Sequence, residues 1–248
     1  MNEDLHQLLA RLHLKGMDGV LDAELERAAK EGTAHRELIR RLLLEEIGFR
    51  EERSLEYRLQ QAKIPWPWTL ETFPFERKPD INRSQIQTLA GLSFVERAQN
   101  IVFIGETGTG KTGLAIGLLR KAILSGYRCR FFDAQDLLDQ IYASLADRTT
   151  PKLMKALSTY DVVQIDELGY LTLKSEQINA FFRLMEMRYQ KKSTVITTNL
   201  DFPEWYGLFQ RKSLVDALLD RLKHHCITIR LTGSSLRAPE ENALKPLS

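Results

Sequence analysis

Residues 105–112 read Gly-Glu-Thr-Gly-Thr-Gly-Lys-Thr, and few eight-residue strings restrict a fold so tightly. The pattern G-x-x-x-x-G-K-T carries meaning only between a strand and a helix. Here an apolar run at 101–104 precedes it, and an apolar-rich segment with helical spacing follows Thr112. Gly105, Gly108 and Gly110 let the backbone turn sharply and approach a phosphate with no Cβ in the way. Backbone N–H groups across Glu106, Thr107 and Thr109, and those of the next helix's first turn, then face the anion, and the helix dipole favours it. Lys111 supplies a positive charge for the β- and γ-phosphates, and the Thr112 hydroxyl is a ligand for Mg²⁺. The string predicts a nucleoside triphosphate site at 105–112.

A second pair of residues adds hydrolysis. Val162, Val163 and Ile165 read as a buried strand, and Asp166-Glu167 stands at its C-terminal end, the edge where open α/β sheets bind ligands. Asp166 is placed to hold the hydration shell of Mg²⁺. Glu167 is placed to orient and deprotonate the attacking water. A further strand at 193–198 runs into Asn199. If that strand lies between the first and third, Asn199 reaches both the γ-phosphate and the water. Asparagine at a strand end is also ordinary turn punctuation.

Along the chain, strands and helices alternate from residue 81 onward, with strands expected at 101–104, 127–132, 161–165, 193–198 and 226–231. That alternation predicts βαβ units and a parallel five-stranded sheet covered by helices. Residues 1–63 differ. Leu5, Leu8, Leu9 and Leu12 make a helical stripe expected to break at Gly16. A second helix is expected to stop at Gly32, and Thr33 to cap a third whose apolar face is Leu38, Ile39, Leu42, Leu43 and Ile47. This region holds 11 Lys/Arg against 13 Asp/Glu. Its later arginines, interleaved with glutamate, read either as a solvated face of i, i+4 ion pairs or as an edge that meets DNA phosphates or another subunit. The expected organisation is a helical domain at 1–63, a linker at 64–80, the sheet domain at 81–238 and a flexible tail at 239–248. In the linker, Trp66, Trp68, Phe73 and Phe75 either stack on a base or tie the linker to the core.

Composition excludes more than it selects. No apolar run approaches the ~20 residues that span a bilayer, and the acidic, amphipathic start is no signal peptide, so a cytoplasmic protein with no membrane contact is expected. Cys129 and Cys226 lie in strand-like contexts and read as reduced core residues. A net charge of +2 sets up no bulk field for nucleic acid, so any DNA surface is a local patch. His224 and His225 follow a helix and read as helix-end residues sooner than metal ligands.

Taken together, several segments resemble the IstB-type ATPases, helper proteins of insertion-sequence transposition related to bacterial helicase loaders within the AAA+ class. They are Leu70 to Phe75, Gly105 to Thr112, Ile165-Asp166-Glu167-Leu168-Gly169-Tyr170, Thr197 to Leu200, Glu204-Trp205, Asp220-Arg221-Leu222-Lys223-His224-His225 and Gly233 to Arg237. The chain differs at Gly113, where the family usually has histidine, and at Leu236, where it usually has tyrosine. The resemblance implies a P-loop NTPase of AAA+ type preceded by a small all-helical domain. It implies an ATP-hydrolysing homo-oligomer with nucleotide at the subunit interface, which assembles on double-stranded DNA, remodels it and recruits a partner transposase. Arg221 would then reach the adjacent subunit's nucleotide, and Arg237 would sense its own. Arg148, Lys152, Lys155 and Lys174 would face the DNA path and contact phosphates. The same core also serves helicase loaders, so a protein that loads a replicative DNA helicase stays open.

Overall fold

The computed structural model describes residues 4–169, 171 and 173–237. Tyr170 and the tail expected at 239–248 lie outside the described residues. The chain divides into two compact units, one ending at Arg58 and one beginning at Leu59.

The first unit is helical throughout: α1 (Leu5–Arg11), α2 (Lys15–Glu31) and most of α3 (His35–Ala62). Its core is small, with Leu9, Leu21 and Leu42 at the centre and Leu14, Met17, Val20 and Leu38 packed around them. Gly16 does not break a helix. It sits inside α2, where a Cβ would lie 2.7 Å from Phe49 Cβ and 2.8 Å from Glu46 Cα, so glycine is there for close helix approach. The turn comes earlier, at His13, whose φ is 56°. The Glu46 carboxylate accepts from Gly16 N (2.7 Å) and Met17 N (3.2 Å), satisfying donors that an α-helix leaves open at its first turn. Gly32 ends α2 with φ 65°, as expected. Thr33 does not cap α3, which begins two residues on; its hydroxyl lies 3.4 Å from Glu31. Of the apolar face expected on α3, Leu42 is buried, but Ile39, Leu43 and Ile47 are about half exposed.

The division between units falls inside α3, ahead of the end expected at residue 63. The last turn of that helix belongs to the second unit, where Arg130 Nη1 donates to Gln61 O at 2.6 Å. There follow α4 (Arg83–Ala90), the short turn α5 (Ser93–Glu96), β1 (Asn100–Gly105), α6 (Lys111–Leu124), β2 (Cys129–Asp133), α7 (Ala134–Ala146), α8 (Thr150–Thr159) and β3 (Val162–Asp166). Next come α9 (Ser175–Arg188), β4 (Ser193–Thr198), α10 (Trp205–Phe209), α11 (Lys212–His224) and β5 (Cys226–Leu231). The five strands form one parallel sheet in the order β2-β3-β4-β1-β5. Cys129 and Cys226 therefore open the two outer strands.

Strands buried on both faces explain why β1, β3 and β4 are continuous apolar or small-polar runs rather than alternating ones. Phe181, Phe182, Trp205 and Phe209 anchor the core on the side of α9 and α10, with Phe181 and Phe209 stacked at 5.4 Å between centroids. The strand order is what positions the site. β4 lies between β3 and β1, so the C-terminal ends of all three emerge together, with Ile104 opposite Thr198 and Ile165 opposite Ile196.

Candidate nucleotide-binding site

At that edge lies a cavity of about 780 Å³ lined in part by Thr107, Gly108, Gly110, Lys111, Thr112, Glu167, Asn199 and Arg237. Residues expected to act together but spread over 130 positions of sequence (Thr107 to Arg237) thus line one cavity. Gly105 lies behind the loop with φ 159°, and a Cβ on it would meet Leu231 O at 2.2 Å. Gly108 and Gly110 have φ 84° and 98°, the left-handed region that favours glycine. The loop is knit internally, with Thr109 Oγ1 donating to Glu106 O at 2.8 Å. The Lys111 ammonium donates to Gly105 O (2.7 Å) and Glu106 O (2.8 Å). Burial pulls the Lys111 pKa below the usual lysine value, against the opposing pull of Asp166 and Glu167.

On the facing side, Asp166 is joined to both neighbouring elements. Thr112 Oγ1 donates to its Oδ2 at 3.1 Å, and Thr197 Oγ1 donates to its Oδ1 at 2.7 Å. Burial nevertheless raises the Asp166 pKa above the usual carboxylate range; the two hydroxyls oppose the rise and Glu167 adds to it. Glu167 is exposed to the cavity, and its backbone is left-handed, with φ 58°. A non-glycine residue in that region costs roughly 1–3 kcal/mol unless its surroundings hold it. Here the hold is visible: Glu167 N donates to Thr197 Oγ1 at 2.9 Å, and Leu168 N to Thr197 O at 2.9 Å. The sharp bend brings Gly169 against Asn199, where a Cβ would lie 2.1 Å from Asn199 Oδ1. Only a residue without a side chain lets Asn199 occupy that place.

Thr197, named only as part of the segment Thr197 to Leu200, is therefore the residue to which sequence reasoning gave no role. It is fully buried near the C-terminal end of β4, the central strand, and fixes both members of the Asp166-Glu167 pair. β4 reads Ser-Thr-Val-Ile-Thr-Thr, so its hydroxyls alone did not single out Thr197; its place two residues before Asn199 was the only local pointer. The linker aromatics were the other open question. Phe73 is buried against Gly110 and Gly113, Leu70 lies against Gly117, and Trp68 and Phe73 line the cavity. The segment both ties down the linker and forms one wall of the site. Gly113 leaves room for it: a Cβ there would already touch Phe73 at 3.5 Å and Trp68 at 3.6 Å.

Other expected residues lie elsewhere. Arg221, on α11, is 3.4 Å from Glu186 of α9 and does not line the cavity. Arg148, Lys152 and Lys155 are exposed in the turn before α8 and on α8 itself, away from the cavity lining. Lys174 precedes α9, with its Nζ 4.0 Å from the centre of the Tyr142 ring. Among the described residues no group of three or more His, Cys, Asp or Glu is placed to hold a metal ion. The donor set is instead one hydroxyl and one buried carboxylate, Thr112 and Asp166. That set fits Mg²⁺, which binds through one or two protein groups together with substrate phosphates.

A parallel sheet ordered 2-3-4-1-5, a glycine-rich loop from β1 to α6 and a carboxylate pair ending β3 define a P-loop nucleotide-binding domain of AAA+ type. Solved structures of similar fold agree. The DnaC helicase loader superposes with a TM-score of 0.58 at 24% identity, covering 69% of this chain and 100% of that one. DnaA, solved bound to AMPPCP and single-stranded DNA, gives 0.56 at 20%, covering 67% of this chain and 50% of that one. Within that class, the chain belongs to the IstB-like ATP binding protein family, whose model matches residues 7–243. It is 38% identical to the insertion sequence IS21 putative ATP-binding protein of Pseudomonas aeruginosa, over 96% of this chain and 90% of the relative. It is 34% identical to the corresponding IS5376 protein of Geobacillus stearothermophilus, over 97% and 96%. No helix among the described residues is long and apolar enough to cross a membrane.

Proposed function

We propose that the chain hydrolyses ATP in an assembly on double-stranded DNA and that this activity serves transposition by recruiting and stimulating a partner transposase. The observation that carries the hydrolytic reading is the four-residue linkage Thr112–Asp166–Thr197–Glu167, which fixes a metal-binding hydroxyl, a metal-binding carboxylate and a candidate base as one unit. The phosphate loop takes the triphosphate, with the Lys111 ammonium leaving its carbonyl partners for the β- and γ-phosphates. Thr112 and Asp166 would hold Mg²⁺, which when bound would offset the charge of the phosphates and of the buried Asp166 carboxylate. Glu167 faces the cavity and takes a proton from the attacking water. Asn199, held beside it by Gly169, orients that water against the γ-phosphate. Arg237 reads the same nucleotide from the far wall.

Arg221 stands outside its own cavity, so its use requires a second copy of the chain. We assign it to the neighbouring subunit's γ-phosphate. The exposed Arg148, Lys152, Lys155 and Lys174 are assigned to DNA phosphates. The role in transposition is supported by relatives named for insertion sequences; a helicase loader would share every feature of the core and differ in its partner.

ATPase activity measured with and without duplex DNA, with particle size followed alongside, tests this reading. The expected result is turnover that rises with DNA and with assembly. Lys111→Ala should abolish nucleotide binding, and Arg221→Ala should suppress turnover only in the assembled state. Mixing those two inactive variants should restore part of the activity, since each supplies what the other's interface lacks. No recovery on mixing removes Arg221 from the neighbour's site.

A further inference from the structure

Two residues of the segment before α4 reach the loop that follows β5. Lys78 is 1% exposed, and its ammonium donates to Thr232 O at 3.0 Å and to Ser234 O. Asp80 accepts from Thr232 Oγ1 at 3.2 Å. Between those anchors Gly233 is left-handed, with φ 81°, and a Cβ on it would lie 2.7 Å from Asp80 Oδ2. The loop then runs straight onto the phosphate loop. A Cβ on Gly108 would lie 2.0 Å from Ser235 Oγ, and Leu236 N donates to Gly108 O at 2.8 Å. Leu236 also lies against Gly110, and both Leu236 and Arg237 line the cavity. The segment carrying Lys78 also supplies Phe73, which meets Leu236 at Gly110.

The phosphate loop is therefore gripped by two segments far apart in sequence, and Lys78 joins them. A buried ammonium whose acceptors are two carbonyls of one turn fixes that turn in position as well as in conformation. Hydrogen bonds from charged groups are among the stronger ones, and the cost of leaving their partners unpaired is local.

We propose that Lys78 is a positioning residue of the nucleotide site, holding the 232–237 loop so that Leu236 and Arg237 close over the phosphate loop. This rests on reading the cavity as the ATP site with Arg237 as a nucleotide contact. Lys78 itself does not line the cavity; it acts through the loop. Loss of the clasp weakens nucleotide binding by freeing Arg237, and has nothing left to weaken once Arg237 is gone.

A double-mutant cycle separates this from a general structural role. The full-length chain, Lys78→Met, Arg237→Ala and the double variant are titrated calorimetrically with AMPPNP in the presence of Mg²⁺, after circular dichroism establishes folding. Lys78→Met is expected to weaken binding about tenfold with Arg237 present, the loss of a charge-assisted pair, and less than about twofold with Arg237→Ala, because the two act as one unit. Steady-state ATPase should show KM rising more than kcat falls. Should Lys78→Met not fold, Asp80→Ala takes its place in the same cycle, with about a threefold loss that likewise disappears with Arg237→Ala, in proportion to one long hydrogen bond from a hydroxyl. Unchanged affinity, or equal losses in both backgrounds, overturns the role of Lys78 and leaves the ATP site standing. A wild-type chain that binds no AMPPNP overturns both.

Discussion

In the unit ending at Arg58, charges meet at the surface: Arg40 and Arg41 on Glu37, Arg41 on Glu31, Arg27 on Glu31. The first unit also buries Glu46, and the unit beginning at Leu59 also has exposed pairs such as Arg230–Asp201, but the second unit takes a whole guanidinium inside. Arg188 is 1% exposed and donates to Thr194 Oγ1 and to the carbonyls of Leu157, Tyr160 and Ser193, with burial bringing its pKa down to about 9. Surface pairs contribute about 0–1 kcal/mol each and are screened by salt. A buried cation with a full set of acceptors permits one arrangement and heavily penalises others. The helical unit therefore depends on a small core under a cover of interchangeable pairs. The second unit can hold side chains to the tolerance that chemistry needs. Asp166 is where that ordering is left incomplete by the protein alone, since its hydroxyl partners do not outweigh its burial.

The largest expected effect tests whether this precision serves catalysis. Glu167→Gln keeps the shape and the αL backbone position but cannot take a proton. Turnover should fall ~10²–10⁴-fold, the usual contribution of a general base, while AMPPNP affinity stays within about threefold, since no phosphate contact is removed. Normal turnover would assign the water to another group and detach the buried linkage from the chemistry.

The next two substitutions compare the cores directly. Trp66, Trp68 and Trp205 all lie in the second unit, so tryptophan fluorescence reports that unit alone and far-ultraviolet dichroism reports both. Phe181→Ala removes a fully buried ring that contacts Phe182 and Phe209. It should cost ~3–5 kcal/mol in the fluorescence-detected transition. Leu42→Ala strikes the smaller core, whose neighbours can relax into the space. It should cost about 2 kcal/mol, the low end for such changes, and only in the dichroism. A shift of both transitions together by Leu42→Ala would mean that the units unfold as one.

How much of this was legible differs between the units for the same physical reason. The five strands, and the meeting of 105–112 with Asp166-Glu167 at one sheet edge, could be read because buried parallel strands are largely apolar runs and the glycine-rich loop and carboxylate pair each stand at a strand's end. The role of Thr197 was not read, because it comes from β4 lying beside β3, a pairing between residues about 30 apart in sequence. Trp68 and Phe73 could be seen as aromatics needing a surface, but which surface depends on Gly113 and Gly117 of α6. In the helical unit, periodicity found the helices and misplaced their ends. Gly16 breaks no helix because Phe49 and Glu46, some 30 residues later, press against it. The stripe on α3 is longer than the core it serves, so Ile39, Leu43 and Ile47 could not be told from Leu42 by spacing.

The smallest expected effect concerns acid, and Asp166 runs opposite in sign to the paired carboxylates of both units. Burial tends to raise the Glu46 pKa, but Arg50 and the N–H groups of Met17 and Gly16 outweigh it, so the folded value lies below the ordinary one. The stability it contributes is present above pH 4.5, the ordinary glutamate value, and is lost as pH falls through the folded value. Glu37, held at about 2 chiefly by the hydrogen bond from Arg40, behaves alike. Asp166 has the opposite sign: its pKa is raised, so its contribution is complete below the ordinary aspartate value and is lost as pH rises through the folded one. Asp161 and Asp201 of the second unit do lose their partners Lys192 and Arg230 in acid, but they do so beneath a much larger core. Lowering the pH from about 5 to 3, a span that brackets ordinary carboxylate values, should therefore melt helix seen by dichroism before tryptophan fluorescence changes. Glu46→Gln keeps an acceptor for α2 and drops the pairing with Arg50. It should lower the helical unit's thermal midpoint slightly at neutral pH and flatten that unit's response to acid. An acid response as steep as in the unaltered chain would move the sensitivity of the helical unit from the foot of α2 to the exposed pairs around Glu37.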